Sequence, residues 1–200
     1  MTEKKPIIHV FSNGLRLVYL HTESPVSHFG LTLLSGSRYE RSHEMGLAHF
    51  LEHCLFKGTK KRKAFHILSR LDSVGGELNA YTAKEELCIY ASYSKEYTDR
   101  AIELIADISI NSSFPNKEIE KEKEIILDEI NSYLDNPSDK IFDDFEELLF
   151  KHHELGNNIL GNKKSVQSFD KEHLCNYVNR LFTTSNGVIS FVGDLPLKKV

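Results

Sequence analysis

Two short runs of β-prone residues open the chain, Ile7 to Phe11 and Leu15 to Leu20. They are separated by Ser12-Asn13-Gly14, and Asn-Gly between two such runs predicts a hairpin. His28 to Ser35 alternates well enough for a third strand, which Gly36-Ser37 ends. Gly46 to Phe56 is apolar at all but three positions and reads as a helix, with Lys57-Gly58-Thr59 as its stop. A second helix is expected over Ala64 to Val74, with Phe65, Leu68 and Leu71 on one side and Gly75-Gly76 at its end. Glu77 to Thr82 and Glu86 to Tyr93 follow as strands, the second alternating Leu87, Ile89, Ala91 and Tyr93.

Helical spacing then returns. Lys95 to Asn111 carries Ala101, Ile102, Ile105 and Ile108 at intervals of one helical face, and Phe114-Pro115-Asn116 separates it from a long helix over Lys117 to Tyr133. Asn136-Pro137-Ser138 reads as a break before a helical stretch through Phe142 to Phe150. A helix over Lys171 to Phe182 and a strand over Gly187 to Val192 close the pattern. With no repeat, low-complexity tract or linker among them, these elements imply one α+β domain.

The three polar positions in the Gly46 to Phe56 helix are His49, Glu52 and His53; every other residue there is Leu, Ala, Phe, Cys or Gly. At about 100° per residue the trio falls within roughly a third of the helix circumference. Buried polar groups without partners cost several kcal/mol, and two imidazoles at i and i+4 suit a divalent metal. His49-Phe50-Leu51-Glu52-His53 is the inverted H-x-x-E-H zinc signature. Ten histidines and nineteen glutamates produce that five-residue pattern by chance about 5% of the time, so its helical setting carries much of the weight.

A second anomaly lies in the Lys117 to Tyr133 helix. Its apolar stripe of Ile119, Ile126, Ile130 and Tyr133 is interrupted on the same face by Glu122 and Glu129, whereas Glu120, Lys121, Glu124 and Asp128 point elsewhere. Two inward carboxylates seven residues apart need a cation or a hydrogen-bonding network. Catalytic zinc commonly takes three protein ligands, two His and one Glu being a known set, and by spacing alone either glutamate could be the third.

Composition narrows the rest. At 200 residues, 40% hydrophobic and 27% charged, the chain is long enough for one large domain. A formal charge of -4 and a pI near 6.2 offer no electrostatic reason for a nucleic-acid or anionic-membrane partner. The basic run Lys57 to Lys63 reads as a solvated loop. Cys54, Cys88 and Cys175 are odd in number and far apart, as in a reducing compartment. Met1 to Pro6 leads into no secretory core, and no apolar run approaches the roughly 20 residues that span a bilayer, which makes a cytoplasmic location the default expectation. The other histidines read as surface or packing residues, with His43-Glu44 the pair nearest the motif, and Tyr81, Tyr90 and Tyr93 as strand-face residues.

Four segments together resemble the N-terminal domain of the insulinase/pitrilysin metallopeptidases, in particular their mitochondrial-processing-peptidase-like bacterial branch. They are Gly46 to His53, Gly75 to Thr82, Glu122 to Ile130 and Gly187 to Asp194, and the likeness covers nearly all of the chain. It implies a mostly antiparallel sheet packed against helices, and one zinc ion per domain held by His49, His53 and Glu129. Glu52 becomes the catalytic base and Glu122 a supporting carboxylate near the metal. Asn79 and Ala80 match a strand edge that pairs with substrate backbone. The activity implied is zinc-dependent endopeptidase action on peptides or unfolded polypeptide. The resemblance also implies a second, similarly folded domain or chain, a dimer being one arrangement; Val200 falls where the first domain should finish. The competing expectation is a non-catalytic peptide-binding or partner subunit. A structural zinc site is disfavoured because such sites usually close with four protein ligands.

Overall fold

The computed structural model describes residues 5–199; Met1 to Lys4, part of the stretch read as lacking a secretory core, and Val200 lie outside them. Six strands form one sheet: β1 (Ile7–Val10), β2 (Arg16–His21), β3 (Val26–Leu33), β4 (Glu77–Thr82), β5 (Leu87–Ser94) and β6 (Gly187–Gly193). Their spatial order is β1-β2-β6-β3-β5-β4, and every pairing is antiparallel except the parallel β2–β6 contact. The α+β expectation and the mostly antiparallel sheet are both present. β3 is central: Phe29 pairs with Ala91 on one side and Phe191 on the other, and Tyr19 stacks on Phe191 at 5.8 Å between centroids.

Seven α-helices accompany the sheet among the described residues: α1 (Leu47–Leu55), α2 (Ala64–Asp72), α3 (Thr98–Asn111), α4 (Asn116–Leu134), α5 (Pro137–Leu149), α6 (Lys163–Ser168) and α7 (Lys171–Leu181). α1 is the hub, packed against β4, α4 and α7. Leu47, Phe50, Leu51 and Leu55 are fully buried, Phe50 lying 5.4 Å from the Phe169 ring. Truncating such a ring to Ala costs about 3–5 kcal/mol, so the motif helix is fixed by its apolar side.

Several local expectations differ from the structure. β3 begins at Val26, just after Pro25, two residues before the alternation is visible. α2 buries Ile67 and Leu71, leaving Phe65 and Leu68 more than half exposed, so its inward face is rotated from the expected stripe. Pro137 starts a helix where a break was expected: it occupies the first helical turn behind Asn136, whose side chain accepts from the Ser138 N–H. α6 has one buried apolar residue, Val166, and is held instead by a capping box between Asn162 and Ser165.

α5 is oriented apolar side outward. Ile141, Phe142, Phe145, Leu148 and Leu149 are each at least 61% exposed, all within about 120° of helix circumference. Its opposite side meets the domain through polar groups: Asp143 accepts from Tyr133 and Asn158, and Glu146 pairs with Lys84 at 3.0 Å. No helix among the described residues is long and apolar enough to cross a membrane.

Candidate metal centre

The first turn of α1 is anchored from outside. Gly46 precedes it at φ 91°, a conformation that L side chains rarely adopt, and a Cβ there would meet the Leu160 carbonyl at 2.6 Å. With no side-chain cap at Gly46, the buried Glu40 takes that role. Its carboxylate accepts the Gly46 N–H at 3.0 Å and the Ala48 N–H at 2.8 Å. Burial pushes the Glu40 pKa up to about 8 in spite of those donors.

One helical turn on, the α1 imidazoles face α4. His49 Nε2 lies 3.7 Å from Glu129 Oε1, His53 Nε2 lies 3.7 Å from Glu129 Oε2, and the ring centroids are 4.6 Å apart. One donor atom from each of His49, His53 and Glu129 lies within 4.8 Å of the other two. Around tetrahedral zinc, bonds of about 2.0–2.2 Å put neighbouring ligand atoms roughly 3.3–3.5 Å apart. The two His–Glu129 contacts at 3.7 Å are close to that spacing, and the set as a whole, spread over up to 4.8 Å, would draw together to hold an ion. Burial, then the His53 charge, lowers the His49 pKa to about 4. His49 is therefore neutral at pH 7, with a lone pair available to a metal.

The two glutamates of α4 have different surroundings, which corrects the expectation of two inward carboxylates. Seven residues return a helix to nearly the same angle but about 10 Å further along its axis. Glu122 is buried beneath His53, while the Glu129 side chain, 44% exposed, stands at the rim. Glu122 Oε2 lies 3.2 Å from His53 Nδ1, and Oε1 lies 2.8 Å from Lys57 Nζ. Burial alone would raise the Glu122 pKa, but hydrogen bonds from His53 and Lys57 hold it below the ordinary carboxylate range. Burial and the Glu122 charge push the neighbouring Cys54 thiol up, and Cys54 is not among the three converging donors.

The motif trio is not sealed either: His49, Glu52 and His53 are all half-buried. The site is most open to solvent at the Glu129 rim. Glu52 sits on α1 between the two imidazoles in sequence, and among the described residues it has no hydrogen-bond or ion-pair partner. Asn79 and Ala80 lie on β4, the free edge of the sheet, beside α1. Asn79 is exposed, and its Oδ1 accepts the Ala80 N–H at 2.9 Å.

His43 is exposed and Glu44 is buried in an ion pair with Arg180, so that pair does not join the site. Tyr81 and Tyr90 pack on each other at the exposed face of the sheet, while Tyr93 is buried. The basic run is only partly a solvated loop. Lys60, Lys61 and Lys63 are exposed, but Lys57 pairs with Glu122, and Arg62 with Asp107 and Glu103. Sequence reasoning passed over Lys57 and Glu40; for Lys57 the available signal was its position four residues after His53.

A helix-borne histidine pair facing a glutamate from a second helix, near an edge strand of the sheet, forms a candidate metal site. The description Insulinase (Peptidase family M16) matches residues 16–163, and the chain belongs to that family. It is 42% identical over 195 residues to a protein of Rickettsia felis named an uncharacterized zinc protease, covering 96% of this chain and 47% of that protein. It is 33% identical to the mitochondrial-processing peptidase subunit beta of Caenorhabditis elegans, covering 94% of this chain and 41% of that one. Among solved structures, a protease from Helicobacter pylori superposes with a TM-score of 0.92 at 24% identity, over 99% of this chain and 48% of that chain. A peptidase M16 inactive domain from Pseudomonas fluorescens gives 0.91 at 17% identity, over 98% of this chain and 48% of that chain. These two show the shared fold. The chain spans about half the length of the curated relatives it matches.

Proposed function

We propose that residues 1–200 act as the zinc-binding catalytic domain of a metalloendopeptidase that hydrolyses peptides or unfolded polypeptide segments. The observation that carries this reading is the convergence of His49 Nε2, His53 Nε2 and the Glu129 carboxylate on one point. His49, His53 and Glu129 would hold the ion. When bound, zinc supplies Lewis acidity, lowering the pKa of a coordinated water to about 7. Glu52 is the general base: its unpartnered carboxylate takes a proton from the attacking water as the new C–O bond forms. It then passes that proton to the amine nitrogen as the C–N bond breaks. Glu122 orients His53 from behind, fixing the proton on Nδ1 so that Nε2 keeps its lone pair. Asn79 and Ala80 offer the β4 edge to substrate backbone, where added-strand pairing reads main chain and tolerates varied side chains.

Cleavage of a quenched fluorescent peptide tests the function. Activity should disappear with a chelator and return with stoichiometric zinc; cleavage that persists without metal would count against it. The chain's match to about half of its relatives, together with the bare apolar side of α5, supports pairing with a second unit. The alternative, a non-catalytic partner subunit, gains from the likeness to an inactive domain, but the complete donor set favours catalysis. Phe142→Asp with Phe145→Asp should leave the 200-residue chain within about 1 kcal/mol of its parent stability, as two exposed substitutions of about 0.5 kcal/mol each would. In a longer version carrying the second unit, the same pair should lower the thermal midpoint by several degrees. Equal effects in both lengths would mean that α5 contacts no second unit.

A further inference from the structure

We infer that Lys57 is a positioning residue for the metal centre, holding Glu122 in the orientation that presents His53 Nε2 to the ion. The inference rests on the zinc reading above and adds a group to it.

The support of the two imidazoles is asymmetric. His49 Nδ1 is buried and has no hydrogen-bond partner among the described residues, so packing alone fixes that ring. His53 is different: its Nδ1 meets Glu122 Oε2 at 3.2 Å, and the other oxygen of the same carboxylate is taken by Lys57 Nζ at 2.8 Å. The hydrogen-bonded chain behind the donor atoms therefore runs Lys57–Glu122–His53. A carboxylate gripped on both oxygens cannot rotate to offer Nδ1 a different partner. With the proton kept on Nδ1, the Nε2 lone pair stays directed at the space shared with Glu129.

Lys57 is itself held in place rather than free in solvent. It follows the C-terminal end of α1, and its N–H donates to the Cys54 carbonyl at 3.2 Å. The chain beyond it is clamped to α3. Gly58 pairs with Lys63, and Thr59 with Ser112, as isolated β-bridges. The Thr59 hydroxyl donates to the buried Asp107 at 2.8 Å, and Arg62 joins the same carboxylate. The Lys57 side chain is 28% exposed and Glu122 only 4%, so the pair is partly shielded from solvent screening. An anchored loop delivering one cation to a buried carboxylate is more than a surface ion pair needs.

The test compares zinc affinity, by competition with a chromophoric chelator, and the thermal midpoint of the metal-free protein. The proteins are the parent, Lys57→Met, Lys57→Arg, Glu122→Gln and the Lys57→Met/Glu122→Gln double variant. Lys57→Met should weaken zinc about tenfold, the low end of the roughly 10- to 100-fold attached to outer-sphere partners. Lys57→Arg should recover most of that loss. In the Glu122→Gln background, Lys57→Met should add little, because the two act through one chain. Loss of metal-free stability without loss of zinc affinity would leave Lys57 a structural ion pair and overturn the inference. Full additivity of the two substitutions would overturn it as well. Absence of zinc binding by the parent would instead remove the metal reading itself. If Lys57→Met does not fold, Lys57→Gln keeps most of the chain length and gives the same comparison.

Discussion

Glu52→Gln should lower peptide turnover by about 10²- to 10⁴-fold, the range of general acid–base contributions, in a version of the protein that cleaves peptide. Zinc content should not change. The basis is the separation of roles within one helical turn. His49 and His53 converge with Glu129, whereas Glu52 stands outside that set and has no partner to satisfy. Glutamine keeps the size of the side chain and removes its ability to take a proton. Removing an interaction that acts only on the reacting water should lower kcat and kcat/KM together and leave KM close to the parent value. Parent-like turnover with zinc bound would take Glu52 out of the role of base.

Glu129→Gln should act on the metal itself. The carboxylate supplies one oxygen to each imidazole neighbour and is the only acidic member of the converging trio. Replacing it with a neutral amide should weaken zinc by more than the roughly 10- to 100-fold expected of outer-sphere groups such as Glu122. Glu129 is a rim residue, so the substitution leaves no buried group unpaired and the metal-free fold should be little changed. The comparison of Glu129→Gln with Glu122→Gln therefore separates ligand from support. Equal zinc affinity in both variants and the parent would contradict both assignments.

Much of this centre was legible in the sequence because it breaks patterns that are otherwise clean. Three polar residues in an apolar helix marked His49, Glu52 and His53, and two carboxylates in an isoleucine stripe marked Glu122 and Glu129. Periodicity could not choose between the glutamates, since seven residues restore the same angle. They differ in axial position against α1, Glu129 facing both imidazoles and Glu122 lying on His53 Nδ1, and only docking of the two helices sets that. The six strands carried their own signals of alternation and turn chemistry. The misses have equally local causes. α6 has almost no apolar periodicity and depends on a capping box, and Pro137 is a breaker inside a helix but a good first residue of one. α2 offered two overlapping stripes, and burial of Ile67 rather than Phe65 and Leu68 followed from packing on β4 and α3. Lys57 was hidden in a basic run whose other lysines are solvated.

The most direct measurement is an anomalous difference map, recorded at the zinc edge, from crystals of the zinc-loaded protein. One peak should lie within about 2.0–2.2 Å of His49 Nε2, His53 Nε2 and a Glu129 oxygen, with Glu122 still on His53 Nδ1. A peak elsewhere, or a Glu129 carboxylate out of bonding reach of an ion held by the two histidines, would contradict the metal centre described above.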